Sequence, residues 1–249
     1  MPVSLALNPE LNASALADAY AAKGRLQVRD FLTEVSAESV LAVLEVQTPW
    51  GLCFNDGDRV VQIDAERIQH LTTAERMHIS SGVTEGARRG FQFLYGIYPL
   101  FAAYFESTAP RTPLAAVYEW LNGPAFLGFM RQVTGIKEIV WADAQATNYG
   151  AGHFLKYHTD ENPAEKRLAA YVLNFTKGWG RDWGGFLQFF DETYDIECAY
   201  RPVFNAVNIF TVPAHHSVGM VSSYVPRGRL SITGWLRGDD PPGQIGTER

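Results

Sequence analysis

Residues 146–160, ATNYGAGHFLKYHTD, decide the fold that the sequence predicts. Two runs with aromatic and β-branched residues, 146–149 and 154–158, flank a glycine-containing turn, a pattern typical of neighbouring β-strands. Further runs of this kind occupy residues 138–142, 168–175, 185–190, 206–211 and 230–236. Many short strands at this spacing predict a β-sandwich or β-barrel over about residues 136–237.

The chain before residue 136 has a different texture, because helical patterns dominate there. Residues 113–134 place apolar side chains at helical spacing, and we expect Gly123-Pro124 to interrupt this helix. We also expect Ser36 to cap a helix, and Thr72 or Thr73 to begin a long periodic stretch that continues to about residue 98.

No linker separates the two textures, which favours a single domain over residues 1–249 with an α+β fold. The predicted parts are an N-terminal helical flank, roughly 1–135, a β-core, roughly 136–237, and a flexible tail, 238–249. The tail is polar and contains two prolines, so we expect it to fray.

Composition excludes several classes of protein. The 249 residues are 47% hydrophobic and 13% aromatic, which is too apolar for a disordered chain. With 21 Lys+Arg against 27 Asp+Glu, the net charge of −6 shows no basic excess for nucleic acid. No apolar run approaches the ~20 residues of a membrane span, and no signal peptide is apparent. We therefore expect a cytoplasmic protein that binds neither nucleic acid nor membrane; its oligomeric state is not predicted.

A candidate metal site is formed by two histidines and one aspartate. His158 and Asp160 are two residues apart, and alternate residues of a strand point to the same face. His216, in a later strand-like region, can supply a third ligand. Two histidines and one carboxylate on one side of a metal leave three positions open, as in the facial triad of non-haem Fe(II) oxygenases.

A candidate binding site for an acidic cosubstrate lies a little further along the chain. An α-keto acid that chelates iron leaves a distal carboxylate, which a guanidinium can bind through two hydrogen bonds. Arg229 and Ser231 share one strand face, so they can offer a guanidinium and a hydroxyl to that group.

Together these motifs resemble a known family, in order and spacing, across roughly residues 140–237. The matching text is Asn148-Tyr149-Gly150, His158-Thr159-Asp160, Arg167, Trp179, Gly184-Gly185-Phe186-Leu187, Phe204-Asn205, His216-Ser217-Val218 and Arg229-Leu230-Ser231-Ile232-Thr233-Gly234-Trp235. It resembles the iron(II)- and 2-oxoglutarate-dependent oxygenases, specifically their prolyl hydroxylase branch and the bacterial relatives of the ribosomal-protein prolyl hydroxylases. The resemblance implies that the β-core is a double-stranded β-helix, or jelly roll.

The resemblance also implies a metal-ligand set. His158, Asp160 and His216 would hold the iron and form the catalytic centre. His216 matches better than His215, because the family's histidine is followed, after one intervening residue, by valine. His215 would then point to the opposite face, in a packing or supporting role.

The cosubstrate pocket is implied in the same way. Arg229, with Ser231, would bind the distal carboxylate of 2-oxoglutarate, and Tyr149 would line the pocket. Asn174 occupies the place where relatives often have a cosubstrate-binding tyrosine, so we expect a roomier pocket. The implied cofactors are Fe(II), 2-oxoglutarate and O₂, and the resemblance allows ascorbate as well.

The predicted function is hydroxylation of a C–H bond, coupled to decarboxylation of 2-oxoglutarate to succinate, on a prolyl residue of a protein or peptide. Three alternatives stay open at this point. The same chemistry can act on a small molecule such as a free amino acid. A cupin-like metal protein would work without 2-oxoglutarate, and a metal-binding interaction module would not be an enzyme. Arg229 with Ser231 favours the oxygenase over a cupin.

Overall fold

The structure is a computed structural model that describes residues 4–105 and 112–243. Its helices are α1 (Ala13–Lys23), α2 (Glu34–Val46), α3 (Ala65–Gln69), α4 (Thr73–Arg89), α5 (Leu100–Phe105), α6 (Leu114–Leu121) and α7 (Pro124–Thr134). Its strands are β1 (Arg25–Val28), β2 (Gly51–Asp56), β3 (Arg59–Ile63), β4 (Phe93–Tyr98), β5 (Trp141–Ala142), β6 (Gln145–Tyr149), β7 (Phe154–His158), β8 (Arg167–Asn174), β9 (Leu187–Phe190), β10 (Ile196–Tyr200), β11 (Ala206–Thr211), β12 (His216–Val218) and β13 (Arg229–Arg237).

The strands form a nearly closed antiparallel barrel, which confirms the predicted jelly roll. Along the hydrogen-bonded path the order is β1-β11-β8-β13-β6-β4-β7-β12-β9-β10. One layer therefore contains β11, β8, β13 and β6, and the other contains β7, β12, β9 and β10. Every pair is antiparallel, and from β6 to β13 the chain crosses between the layers at each connection except the one that joins the paired strands β9 and β10, as in a jelly roll.

Two predictions about helix boundaries were wrong. Thr33, not Ser36, caps α2: its side chain accepts a hydrogen bond from the backbone of Ser36. The Ser36 hydroxyl is buried and instead joins Thr33 to the N-terminal segment at Ser4 and Ala6. Thr72 does begin α4, with a capping box to Glu75, but the periodic stretch ends at Arg89.

The segment after α4 is a strand, because the run Phe-Leu-Tyr-Gly-Ile-Tyr of β4 has aromatic and β-branched side chains that suit a pleated surface. β4 bridges the two layers, since it pairs with β6 on one side and β7 on the other.

The predicted interruption at Gly123-Pro124 is confirmed: Gly123 caps α7 and Pro124 occupies its first turn.

The main hydrophobic core lies between the helices and the outer face of the β6–β13–β8–β11 layer. β13 shows how the sequence divides the two faces of this layer. Leu230, Ile232 and Leu236 point into the helical core. The alternate side chains point into the barrel and line its cavity; these are Arg229, Ser231, Thr233, Trp235 and Arg237.

No helix within the described residues is long and apolar enough to cross a membrane. The predicted tail begins in an ordered part of the chain: the Asp239 carbonyl accepts a hydrogen bond from the Trp141 indole, and the Gly238 amide donates to the Lys166 carbonyl. Residues 244–249 of that tail lie outside the described residues. The prediction of a single domain stays a prediction.

Candidate metal and cosubstrate site

A cavity of about 820 Å³ follows the inner face of β13 from Arg229 to Arg237. It contains the predicted metal ligands, and its walls come from β3, β4, β6, β8 and β13. Val60, Gln62 and Phe91 line one rim. The loop 55–58, Tyr157 and the Trp179–Trp183 loop are not among its lining residues.

The three predicted ligands meet because β7 and β12 are neighbouring strands. His158 and His216 are directly paired across the two strands, with their ring centroids 4.2 Å apart. Asp160 follows β7 and turns back towards both rings. Its two oxygens lie 3.4 Å from His158 Nε2 and 3.5 Å from His216 Nε2. One atom from each residue lies within 4.8 Å of the others, so the three can hold one metal ion.

Backbone carbonyls orient both imidazoles for coordination. His158 Nδ1 donates to the Lys156 carbonyl and His216 Nδ1 to the Ala214 carbonyl, each over 2.8 Å. A carbonyl only accepts, so the hydrogen of each neutral ring is on Nδ1 and the Nε2 lone pair faces the centre of the cluster. This is the arrangement that fixes ring tautomer and direction in histidine metal ligands.

The protonation of the cluster also suits a metal. Burial lowers the pKa of His216 to about 4, so the ring is neutral at pH 7. Burial alone would raise the pKa of Asp160, but its close contacts with His158 and His216 hold it below its usual value. The cluster therefore presents one carboxylate and a neutral His216 without loss of a proton, as metal binding requires.

Two further residues, Arg167 and Trp235, hold Asp160 in place. Both occur in the matching text of the sequence, but no role was predicted for either. Arg167 Nη1 donates to the Asp160 carbonyl over 3.1 Å, and the indole of Trp235 hydrogen-bonds to its side chain. The Arg167 guanidinium also stacks on the Trp235 ring at 3.5 Å. Because Arg167 and Trp235 lie on β8 and β13, the three-dimensional register, not sequence proximity, brings them to Asp160.

Arg229 lies at the deep end of the same cavity and is only 2% exposed. Its Nη2 donates to Asn174 Oδ1 over a long 3.4 Å, and its guanidinium lies 5.3 Å from the centre of the Tyr149 ring. Among the described residues its Nε has no hydrogen-bond partner and no carboxylate pairs with it. Burial lowers the pKa of Arg229 to about 10, which still leaves it charged at pH 7. A buried, unneutralised cation of this kind is suited to an anionic ligand.

The other predicted pocket residues surround this guanidinium. Ser231 shares a 2.8 Å hydrogen bond with Thr147 on β6, and Tyr149 stacks on Tyr95 at 5.2 Å. Asn174 also donates to the backbone of β8 and β11, so it is a fixed part of the wall. Thr147 and Tyr95 were not predicted. Thr147 lies two residues before Tyr149 on β6, so strand periodicity was an available signal for it, whereas Tyr95 comes from β4.

His215 points away from the cluster, as expected. Its ring lies parallel to that of Tyr157, with the centroids 5.2 Å apart, on the outer side of the barrel. The structure thus brings together all seven residues of the predicted site. Their roles in binding stay predictions.

Comparison with known proteins gives the class. Residues 144–237 match the sequence profile of the 2OG-Fe(II) oxygenase superfamily. The matched segment contains the His-Asp-His cluster and most of the jelly roll, and it is therefore similar to the core of the 2-oxoglutarate-dependent dioxygenases, a class whose cofactors are Fe(II), 2-oxoglutarate and O₂.

Individual relatives are similar to a larger part of the chain. Prolyl 3-hydroxylase OGFOD1 of Mus musculus is 24% identical over 228 residues, which are 87% of this chain and 41% of that protein. The chain therefore spans about two fifths of the length of this relative. A Pseudomonas putida prolyl-4-hydroxylase has a TM-score of 0.57 at 19% identity, over 90% of this chain and 98% of that one. A Trichoplax adhaerens prolyl hydroxylase, in complex with a fragment of hypoxia inducible factor, has a TM-score of 0.56 at 14% identity, over 91% and 89%.

The residues present fit the implied cofactors. Two imidazole nitrogens and one carboxylate are a donor set that Fe(II) accepts in facial-triad oxygenases. The unpaired Nε of Arg229 is a buried donor in the same cavity, and it needs an anionic acceptor. A metal and a dicarboxylate would each satisfy groups that the protein alone leaves unsatisfied.

Proposed function

We propose that this protein hydroxylates a prolyl residue in a protein or peptide, with Fe(II), 2-oxoglutarate and O₂. The observation that carries the proposal is the buried Arg229, left unneutralised in the cavity that also contains the ligand cluster. A cupin-like metal protein without a keto acid has no use for such a cation, and the burial of that cation reduces the stability of the protein.

His158, Asp160 and His216 would hold the iron from one side, which leaves the other side facing the cavity. Bound iron, with 2-oxoglutarate and O₂, supplies the oxidation of a C–H bond coupled to decarboxylation. The chain's own part is to fix the two imidazoles through the carbonyls of Lys156 and Ala214, and to fix Asp160 through Arg167 and Trp235.

The deep end of the cavity would hold the cosubstrate. Arg229 can donate through Nε and Nη2 to the distal carboxylate, with Ser231 as a hydroxyl donor beside it. The rings of Tyr149 and Tyr95 and the side chains of Leu187 and Val218 line this region and exclude water. Exclusion of water strengthens the charge-assisted hydrogen bonds made there.

The substrate would enter at the rim formed by Val60, Gln62 and Phe91. Phe91 is exposed, and its ring lies 5.4 Å from that of His158, so an apolar group that contacts Phe91 would be next to the metal cluster. The named activities of the relatives support a prolyl substrate, and the peptide in the Trichoplax adhaerens complex supports a polypeptide one.

The test is succinate release from 2-oxoglutarate under Fe(II), measured with a panel of proline-containing peptides and of free amino acids, with mass spectrometry of the peptides. We expect a gain of 16 Da on a prolyl residue of at least one peptide, with stoichiometric succinate. Asp160→Ala is the matched control and should release none. Turnover of free amino acids alone would replace the proposal with small-molecule hydroxylation; no succinate under any condition would reject the oxygenase activity.

A further inference from the structure

The barrel has one seam, where the strand path begins at β1 and ends at β10. A second cavity, of about 670 Å³, lies at this seam, and we call it the seam cleft. It is lined by Ala19, Ala22, Lys23, Arg25, Leu26, Gln27, Arg29, Ala199, Tyr200 and Arg201. It shares no lining residue with the cavity of the metal cluster.

The seam cleft is strongly basic in a protein whose net charge is −6. Lys23, Arg25 and Arg29 come from the α1–β1 side, Arg201 comes from the β10 side, and no carboxylate lines the cleft. Arg25 is paired with Glu197 at the edge. Within the described residues the other three cations make no salt bridge, so the cleft keeps an excess of about three positive charges.

Unsatisfied donors lie at and beneath the same cleft. Among the described residues, Arg25 Nε is buried without a hydrogen-bond partner, and so is Asn208 Nδ2. Asn208 is fully buried and does not line the cleft itself, but its Oδ1 accepts a hydrogen bond over 2.9 Å from the amide of Gln27, which does. The same signal, a buried guanidinium nitrogen without an acceptor, marks Arg229 in the other cavity. Donors without acceptors indicate a ligand that brings acceptor oxygens.

We propose that the seam cleft binds a ligand with two linked phosphate groups. Cations on both walls of the cleft suit an extended anion with several charges better than a single small one, and guanidinium groups bind phosphate oxygens in pairs. The hydroxyl of Tyr200 on the β10 wall is a further neutral donor. Inorganic pyrophosphate and a nucleoside diphosphate share this chemistry.

The seam cleft is adjacent to the metal cluster but separated from it by aromatic rings. The Arg25 guanidinium lies 5.0 Å from the centre of Phe189, whose ring contacts Phe210 at 5.2 Å. Phe210 in turn lies 4.7 Å from His216. A phosphate ligand at Arg25 would therefore not compete with 2-oxoglutarate for Arg229.

The test is calorimetric titration of the full chain, free of metal and at low salt, with pyrophosphate. We expect wild-type protein to bind in the presence of excess 2-oxoglutarate, with an affinity that falls as NaCl is added. Arg25→Gln and Arg201→Gln should each weaken binding at least tenfold. Arg89→Gln, on exposed α4, and Arg229→Gln should leave it unchanged. Lys23→Gln and Arg29→Gln change exposed side chains, so their smaller losses report on the cleft even if Arg25→Gln unfolds.

A parallel titration with ADP distinguishes a site for the two phosphate groups alone from a site for a nucleotide. Equal affinity for pyrophosphate and ADP would assign the site to the phosphates alone, and tighter binding of ADP would assign it to a nucleotide; both support the proposal. It is overturned if wild-type protein binds neither, if the cleft variants bind as wild type does, or if Arg229→Gln or added 2-oxoglutarate abolishes binding.

Discussion

Two arginines at opposite ends of one strand face differ in how the protein neutralises them. Arg229 and Arg237 both point into the barrel from β13 and are eight residues apart, roughly 26 Å along an extended strand. Arg237 is bound by three carboxylates: Asp239, Glu165 at 3.2 Å and Asp143 at 3.4 Å. Arg229 has one long hydrogen bond to an amide and no carboxylate.

The pKa values of the two arginines differ in the same way, and they indicate a structural role for Arg237 and a ligand-binding role for Arg229. Burial lowers the pKa of Arg237, but its three carboxylates more than compensate and raise the pKa above its usual value. Nothing comparable compensates Arg229, whose pKa burial lowers to about 10. We infer that Arg237 stabilises the fold, whereas Arg229 reduces its stability until an anion binds.

The largest expected effect is on the cosubstrate. Arg229→Gln should raise the dissociation constant of 2-oxoglutarate at least a hundredfold, because the loss of a buried charge-assisted contact costs about 3 kcal/mol or more. Binding of Mn²⁺, as a substitute for Fe(II), should stay within about threefold of wild type. Calorimetry measures both, with Asp160→Ala as the variant that loses the metal. Wild-type affinity for 2-oxoglutarate in Arg229→Gln would remove this residue from the site.

Arg237→Gln should instead affect the fold. Removal of this guanidinium leaves the buried Asp143 carboxyl with the Trp235 backbone amide but without its cation, so the free energy of unfolding should fall by about 3 kcal/mol. Denaturant unfolding followed by circular dichroism measures this loss. Arg88→Gln, which breaks an exposed pair with Glu85, is the control and should change stability by less than about 1 kcal/mol. Equal stability of the two variants would contradict a structural role for Arg237.

Arg229→Met should raise the free energy of unfolding of the metal-free protein by about 1–2 kcal/mol, whereas Arg237→Gln should lower it. The folded-state pKa of Arg229 is lowered, so between about pH 10 and the usual arginine range the folded state binds fewer protons than the unfolded state. The cost of its charge is therefore fully present at pH 7, with an upper limit of about 3 kcal/mol. The same unfolding experiment, without 2-oxoglutarate, checks the sign; a fall in stability would show that Arg229 is already well compensated.

Ser231→Ala should have the smallest effect. The hydroxyl is one neutral donor beside Arg229, so its loss should weaken 2-oxoglutarate by about fivefold, or about 1 kcal/mol. Thr147→Ser keeps the partner hydroxyl and should bind as wild type does. If Ser231→Ala binds 2-oxoglutarate unchanged, the hydroxyl acts only in the contact between β6 and β13.

The sequence predicts the parts of this site that depend on strand periodicity. His158 with Asp160, and Arg229 with Ser231, are pairs at a spacing of two, and the resemblance to the family favoured His216 over His215 as the third ligand. What periodicity cannot give is the register between strands. The contact of Arg167 with Asp160 and the carboxylates around Arg237 depend on pairings between β8, β13 and the segments beside them.

The fold shows the same limit. The strands from β6 to β9 were expected within two residues, because their apolar runs are distinct. β10 was not expected, because its sequence, Ile-Glu-Cys-Ala-Tyr, lies at the open edge with mostly exposed side chains and carries little apolar signal. The seam cleft was not foreseen either, since Arg201 is far in sequence from Lys23 and Arg29.

β13 carries both arginines on one continuous strand, which limits how this protein can change in length. One added residue in the middle of β13 would move every side chain on one side of the insertion to the opposite face of the sheet. Either Arg229 or Arg237 would then face the apolar side chains of the helical core. Variation in chain length is therefore expected in the loops around this strand, and directed evolution of the protein should vary the side chains of β13 without insertion or deletion.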